Sequence, residues 1–390
     1  MNGNIRVGQL FGIPFFINPS WFLILALGTF WFGQEFALSL PQFNGFASLL
    51  LGLVTVLLLF ASVLAHELGH SLVAMSQGIT VKSITLFIFG GLALLEKDAE
   101  KPWQSLAIAI AGPLVSIALF ILFAGIGSAN IGLPLPVLAV LSFLAPINLV
   151  LALFNLIPGL PLDGGNILRA IIWKITGNPN KGLLYASRVG QVFGWLAVVI
   201  GILAVLGISP IGSLWTTFIG LFLLQNAGMS AQSAQVQDKL DHLTAQDAIA
   251  PHSPVAPVSM NVREFVNNYI IGQPQHSQFI LTNADGKLLG TLNPESLKTI
   301  PTSQWTETSL YTLLNTETLP LTIPAQQSLL TVVKQLEKQP NTTFVVVDEQ
   351  NSVLGLLEKA SIINLLSKDK SDDAPTLPPE QPLASTEAEG

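Results

Sequence analysis

His66, Glu67 and His70 form an HExxH pentad. On a helix, residues four apart share a face, so both imidazoles can bind one Zn2+ ion. The glutamate beside them can then take a proton from a water that the metal has acidified, which is the chemistry of a metal-dependent hydrolase. The setting of the pentad strengthens this reading. Between Phe46 and Lys82, Glu67 is the one residue with a formal charge in an almost wholly apolar stretch. Ionisable groups at membrane depth are costly and mark functional sites.

A catalytic zinc takes three protein ligands and leaves a position for water. The chain has no cysteine, so disulfides and thiolate ligation are excluded and any ligand is His, Asp or Glu. The other histidines, His242, His252 and His276, all lie in a more polar C-terminal part. In the apolar part the candidate is Asp163, which follows Asn155, Pro158 and Pro161 and precedes Gly164 and Gly165. From such a turn a carboxylate can reach a neighbouring helix. The same residue is equally placed to cap a helix over 166–175, since Asp is favoured there. Its type and spacing leave both readings open.

The elements that must position these groups are membrane helices. Half of the 390 residues are hydrophobic and 11% are charged, a balance that fits an integral membrane protein joined to a soluble part. Taking about 20 residues to cross the hydrocarbon core, six segments are predicted, over 17–36, 46–76, 105–126, 135–156, 185–206 and 211–229. The loops after the first, third and fifth segments hold no Lys or Arg, whereas the alternate side holds Arg6, Lys82, Lys97, Lys101, Arg169, Lys174 and Lys181, with Arg188 just inside the adjoining end of the fifth segment. Positive loops stay inside, so the N-terminus and the soluble part are both expected in the cytoplasm of a multi-pass protein. The N-terminal residues lack a secretory pattern, and insertion is expected to start from the first segment. His70 then lies about six residues, or roughly 9 Å of helix, from the cytoplasmic end of its segment. A net charge of −7 argues against nucleic acid as a partner.

Between the second and third segments, 80–96 is rich in β-branched and aromatic residues around Gly90 and Gly91. This predicts strands or a re-entrant hairpin. Open backbone at membrane depth is tolerated only where protein or a water-filled cavity receives it, so the segment is expected to line the cavity of the pentad. A hairpin on the surface is the plainer alternative.

The pentad at 66–70, taken with the downstream element Asn155, Pro158, Pro161, Asp163, Gly164 and Gly165, resembles the site-2 protease family of intramembrane zinc metalloproteases. Phe89-Gly90-Gly91 and Ala111-Gly112-Pro113 also stand where family members carry similar sequence, and the resemblance covers about residues 5–228. It implies one Zn2+ per chain, held by His66, His70 and Asp163, with Glu67 as general base and acid. Asn155 is implied to hydrogen-bond the substrate backbone or the developing oxyanion. A structural bond between helices is the alternative for Asn155, and Asn148 reads as structural. The implied reaction is hydrolysis of a peptide bond within or near the transmembrane helix of a single-span membrane protein, in the lipid bilayer. A helical substrate has to unwind to be cut, and the segment around Gly90 and Gly91 can receive it as an added strand.

From about Leu243 a pattern of apolar strand, polar turn, second strand and helix occurs twice, with Gly290 and Gly355 at equivalent points about 65 residues apart. Asp285-Gly286 and Asn351-Ser352 are the turn candidates. The repeat resembles a tandem CBS-domain pair, which implies an adenine-nucleotide site or a homodimer contact. Such pairs carry Thr or Ser, then Asp three residues later, after the glycine. This chain has Asn293 with Ser296 and Glu358 with Ser361. The departure counts against an adenine nucleotide and leaves dimerisation or substrate gating. The expected fold is a polytopic α-helical membrane protein of about six transmembrane helices with a short β segment, followed by a soluble α/β tandem CBS module. Its expected domains are a membrane metalloprotease domain over 1–228, a linker over 229–243, a CBS-like pair over 244–367 (repeats 244–300 and 306–367) and a disordered tail over 368–390. Two alternatives differ in class. One is a catalytically silent zinc-binding membrane scaffold. The other is a metal-ion transporter, which the scarcity of polar residues in the fifth and sixth segments disfavours.

Overall fold

A computed structural model describes residues 3–43, 45–88, 90–129, 131–250, 253–271, 278–316, 319–338 and 344–372. It divides into two compact units, Met1–Val236 and Gln237–Gly390. The first contains β1 (Ile5–Leu10), β2 (Ile13–Ile17), α1 (Ser20–Ser39), α2 (Gly45–Ser76), β3 (Val81–Phe87), β4 (Gly90–Leu95), α3 (Pro102–Ser128), α4 (Leu135–Asn155), α5 (Asp163–Thr176), α6 (Pro179–Val205) and most of α7 (Leu214–His242).

Five of these helices, α1, α2, α3, α4 and α6, are long and apolar enough to cross a membrane. The sixth expected segment, 211–229, falls in the first part of α7. Gln225 and Asn226 break its apolar run, and the helix continues through polar residues to His242, across the stretch expected as a linker. The long helices satisfy their own backbone groups, as hydrocarbon demands. Their ends follow local chemistry. Gly177 closes α5 with φ of 71°. Asn178 then caps α6, its side-chain oxygen accepting from the N–H groups of Asn180 and Lys181.

Trp21, Phe32 and Phe36 of α1 pack with Val56 and Phe60 of α2 and Val140 and Leu144 of α4. Phe143 stands edge-on to Phe32 and Phe36, at 5.4 and 5.3 Å between ring centres. Asn148 is buried between α2 and α4, donating to the carbonyl of Leu144 at 2.8 Å and to Ser62 Oγ at 3.3 Å. Leu58, Ile121, Leu122, Trp195 and Val199 face outward and exposed, a surface that suits lipid.

The expected strands over 80–96 are β3 and β4, paired antiparallel. They belong to a four-stranded sheet of order β1-β2-β3-β4, in which β2 runs parallel to β3. The two N-terminal strands were not foreseen from the sequence. β1 is exposed along almost its whole length, so no buried face marks it out as a strand. β4 is left as an edge strand.

The second unit contains β5 (Val255–Pro257), α8 (Val262–Phe265), β6 (Phe279–Thr282), β7 (Leu288–Leu292), β8 (Leu321–Pro324), α9 (Leu329–Lys338), β9 (Phe344–Val347), β10 (Val353–Leu357) and α10 (Lys359–Asp372). The twofold repeat is present. β6 lies between β5, parallel, and β7, antiparallel; β9 lies in the same way between β8 and β10. Gly290 faces Leu281 and Gly355 faces Val346 at matching registers. The hairpins turn through Gly286 and Asn351, both at positive φ, as the turn residues predicted. Ile280, Val345, Val347 and Leu356 form a core shared by the two copies. The helix expected from Pro294 is a short 3-10 turn, Pro294–Thr299, capped by Asn293, whose side-chain oxygen accepts from the N–H of Glu295 at 2.9 Å. Residues 373–390 of the expected disordered tail, together with Phe89, His252 and His276, lie outside the described residues.

Candidate active site

Two helices and a turn converge inside the first unit. α2 carries His66, Glu67 and His70, and α5 begins with Asp163. The Nε2 atoms of His66 and His70 are 3.2 Å apart. Asp163 Oδ2 lies 3.1 Å from the first and 3.3 Å from the second. An ion held tetrahedrally by bonds of about 2.0–2.1 Å spaces its ligand atoms roughly 3.3–3.4 Å apart. The near-equilateral triangle therefore suits one zinc ion and leaves a fourth direction open. Asp163 supplies the oxygen of the donor set: as the first residue of α5 it turns its carboxylate toward both rings.

α3 orients both rings from behind. His70 Nδ1 donates to the carbonyl of Ile108 at 2.6 Å, which leaves the Nε2 lone pair for a metal. His66 Nδ1 lies 2.9 Å from the buried hydroxyl of Ser116, a contact that allows the same tautomer. Outer partners of this kind tune ligand basicity and ring angle. Ser116→Ala is expected to weaken zinc binding about 10–100-fold, read by titration against a competing chelator. Unchanged affinity would remove Ser116 from the site.

Two glycines let backbone come close to the reacting groups. A Cβ at Gly112 of α3 would collide with Nε2 of both histidines, and one at Gly91 of β4 would collide with the side chain of Glu67. The site opens into a cavity of about 590 Å3, walled by the pentad and Asp163, by Gly90 to Ala93 of β4, and by Asn155, Asn166 and Arg169. Asn155 donates to the carbonyl of Leu151 at 3.1 Å, and its amide keeps a second N–H that can donate into the cavity.

All five residues singled out in the sequence, His66, Glu67, His70, Asp163 and Asn155, thus line one cavity. The stretch expected to share that cavity, around Gly90 and Gly91, does so. Sequence reasoning missed Ser116, the carbonyl of Ile108 and Arg169. A lone serine in an apolar helix has no pattern, and a backbone carbonyl has no signature at all. Gly112 had a faint one, as the glycine before Pro113 in an otherwise apolar helix.

The geometry agrees with likeness to known proteins. Residues 54–134 and 130–197 match the model of Peptidase family M50. The chain is 56% identical to "Putative zinc metalloprotease sll0528" of Synechocystis sp., over 94% of this chain and 96% of that one. It is 30% identical to "Putative zinc metalloprotease Rip3" of Mycobacterium tuberculosis, over 94% and 93%. With "Zinc metalloprotease MJ0392" of Methanocaldococcus jannaschii it shares 28% identity over 94% and 97%. Among solved structures, the CBS domain of a bacterial CNNM/CorC family Mg2+ transporter aligns with 38% of this chain and 93% of its own length, at 13% identity and a TM-score of 0.28.

Proposed function

The chain belongs to peptidase family M50, the site-2 protease family, and is a multi-pass membrane zinc metalloprotease; from that premise we propose that it cuts single-span membrane proteins within or near their transmembrane helices. The observation that carries the proposal is the triangle of His66, His70 and Asp163 on a cavity walled by the apolar helices α1, α2, α3 and α4. Those three residues are assigned as the zinc ligands. Bound there, Zn2+ would acidify a water toward a pKa of about 7 and polarise the scissile carbonyl. Glu67 takes the proton from the attacking water and returns it to the leaving amine. The free N–H of Asn155 steadies the oxygen that gains charge as the carbonyl becomes tetrahedral.

The substrate must present its peptide bond in extended form, since a helix hides its carbonyls in its own hydrogen bonds. β4 is suited to receive it, being an edge strand whose Gly91 lies against Glu67. Successive N–H groups along β4 alternate between β3 and the free edge. Proline placed singly at Leu92, Ala93 and Leu94, clear of Gly91 where a Cβ would meet Glu67, is expected to lower cleavage at least about tenfold where it removes an edge-facing donor, with zinc retained. Full cleavage by every zinc-loaded proline variant would refute the strand-addition route.

The distribution of Lys and Arg supports a cytoplasmic N-terminus and a cytoplasmic second unit. We assign that unit to dimerisation or gating in preference to nucleotide capture, because Asn293 already caps its own turn. The deciding experiment follows cleavage of a panel of single-span substrates by purified full-length protein, first stripped of metal and then given zinc. Cleavage restored at one zinc per chain is the expected result. One zinc per chain without cleavage of any substrate would favour the silent scaffold, and zinc crossing sealed vesicles would favour a transporter.

A further inference from the structure

Resting on the protease reading, we propose that Arg169 is a specificity-determining residue that binds an acidic side chain of the substrate on the α5 side of the scissile bond. Asp163, Asn166 and Arg169 all line the cavity, so α5 turns one face toward it. Arg169 is six residues along the helix from Asp163, roughly 9 Å at 1.5 Å per residue. An extended peptide advances about 3.3 Å per residue. For a peptide that crosses the cavity along this face of α5, a peptide bond held beside Asp163 puts a side chain roughly three residues away at the level of Arg169.

The guanidinium is poised for such a guest. Its side chain is only 21% exposed, and Nε is buried with no acceptor among the described residues. A structural arginine this enclosed would have its N–H donors in hydrogen bonds. Among the described residues the nearest anion is Asp98, whose Oδ2 lies 4.0 Å away, beyond hydrogen-bonding distance, on a side chain that is 88% exposed. Arg169 thus has a well-solvated counter-ion that a better-placed carboxylate can displace. A planar guanidinium matches a carboxylate with two parallel N–H bonds, and the match strengthens away from bulk water. Among the cavity-lining residues it is the one arginine, and no lysine lines the wall, so an acidic side chain has a single fixed cation to find.

The test uses zinc-loaded full-length protein and a substrate whose cut has been mapped by mass spectrometry. Each position two to four residues from the cut, on either side, is varied as Glu, Gln and Lys. Wild type is expected to favour Glu over Gln at one of these positions by about tenfold or more in kcat/KM, carried mainly by KM. Arg169→Gln should cut the two at equal rates, Arg169→Lys should keep part of the preference, and Arg169→Glu should favour Lys. Asp98→Asn should lower KM for the Glu substrate, because the competing anion is gone. Binding of uncut Glu and Gln substrates to Glu67→Gln protein gives the same comparison without turnover. Equal handling of Glu and Gln by wild type at every position would overturn the assignment. So would a preference that persists in Arg169→Gln. A zinc-loaded wild type that cuts nothing would instead remove the protease reading, and this assignment with it.

Discussion

Glu67→Gln is expected to hold one zinc per chain as wild type does, and to cleave about a thousandfold more slowly. The side chain does not belong to the ligand triangle, which His66, His70 and Asp163 complete without it. The amide keeps the shape and length of the carboxylate, so packing against Gly91 is preserved. What it cannot do is accept a proton. The loss should therefore fall on kcat, with KM nearly unchanged, since no contact to the bound peptide is removed. Metal content and single-turnover cleavage measured on one preparation separate this from misfolding. Residual activity within tenfold of wild type, with zinc bound, would show that another group carries the proton. A variant that loses zinc would place Glu67 among the groups that hold the metal.

What was legible in the sequence depended on whether a feature lies along one element or between elements. The pentad was readable because four residues of helix bring His66 and His70 together with no help from the fold. Asp163 is separated from them by almost a hundred residues, and its own surroundings spoke equally for a helix cap. Only the likeness to a known family put it beside the histidines. In the structure it starts α5 and also faces both rings. The C-terminal repeat was readable for a different reason: the same glycine and the same turn recur after an equal interval, and both copies form the same three-stranded arrangement. β1 and β2 were hidden because β2 finds its partner β3 about seventy residues later, so no local period records the pairing. The sixth expected segment was legible as a helix but its end was not: the helix runs on past Gln225 and Asn226 through polar residues to His242, because nothing in that stretch breaks a helix.

Gly112→Ala carries the second large expected effect: loss of at least about a hundredfold in zinc affinity, a change as large as removing an outer-shell partner outright. Helix propensity alone argues the opposite. Alanine in a helix interior is favoured over glycine by about 1 kcal/mol, so by that rule the variant should be the more stable protein. At this position the added methyl has nowhere to go, because it would collide with Nε2 of His70 and sit 2.6 Å from Nε2 of His66, at the atoms that face the ion. Relief requires either α3 to retreat from α2 or the rings to turn. Retreat stretches the bonds from the rings to Ser116 and to the carbonyl of Ile108, both also on α3. Turning the rings opens the ligand triangle. Gly125→Ala is the matching control on the same helix, since a Cβ there meets nothing within 4 Å. It should keep wild-type zinc affinity and gain the helical preference. If Gly112→Ala binds zinc as tightly as Gly125→Ala does, the close approach of α3 is not what shapes the site. If it loses the metal while staying folded and more helical, glycine at 112 is retained for the ion's sake, against the preference of the helix that carries it.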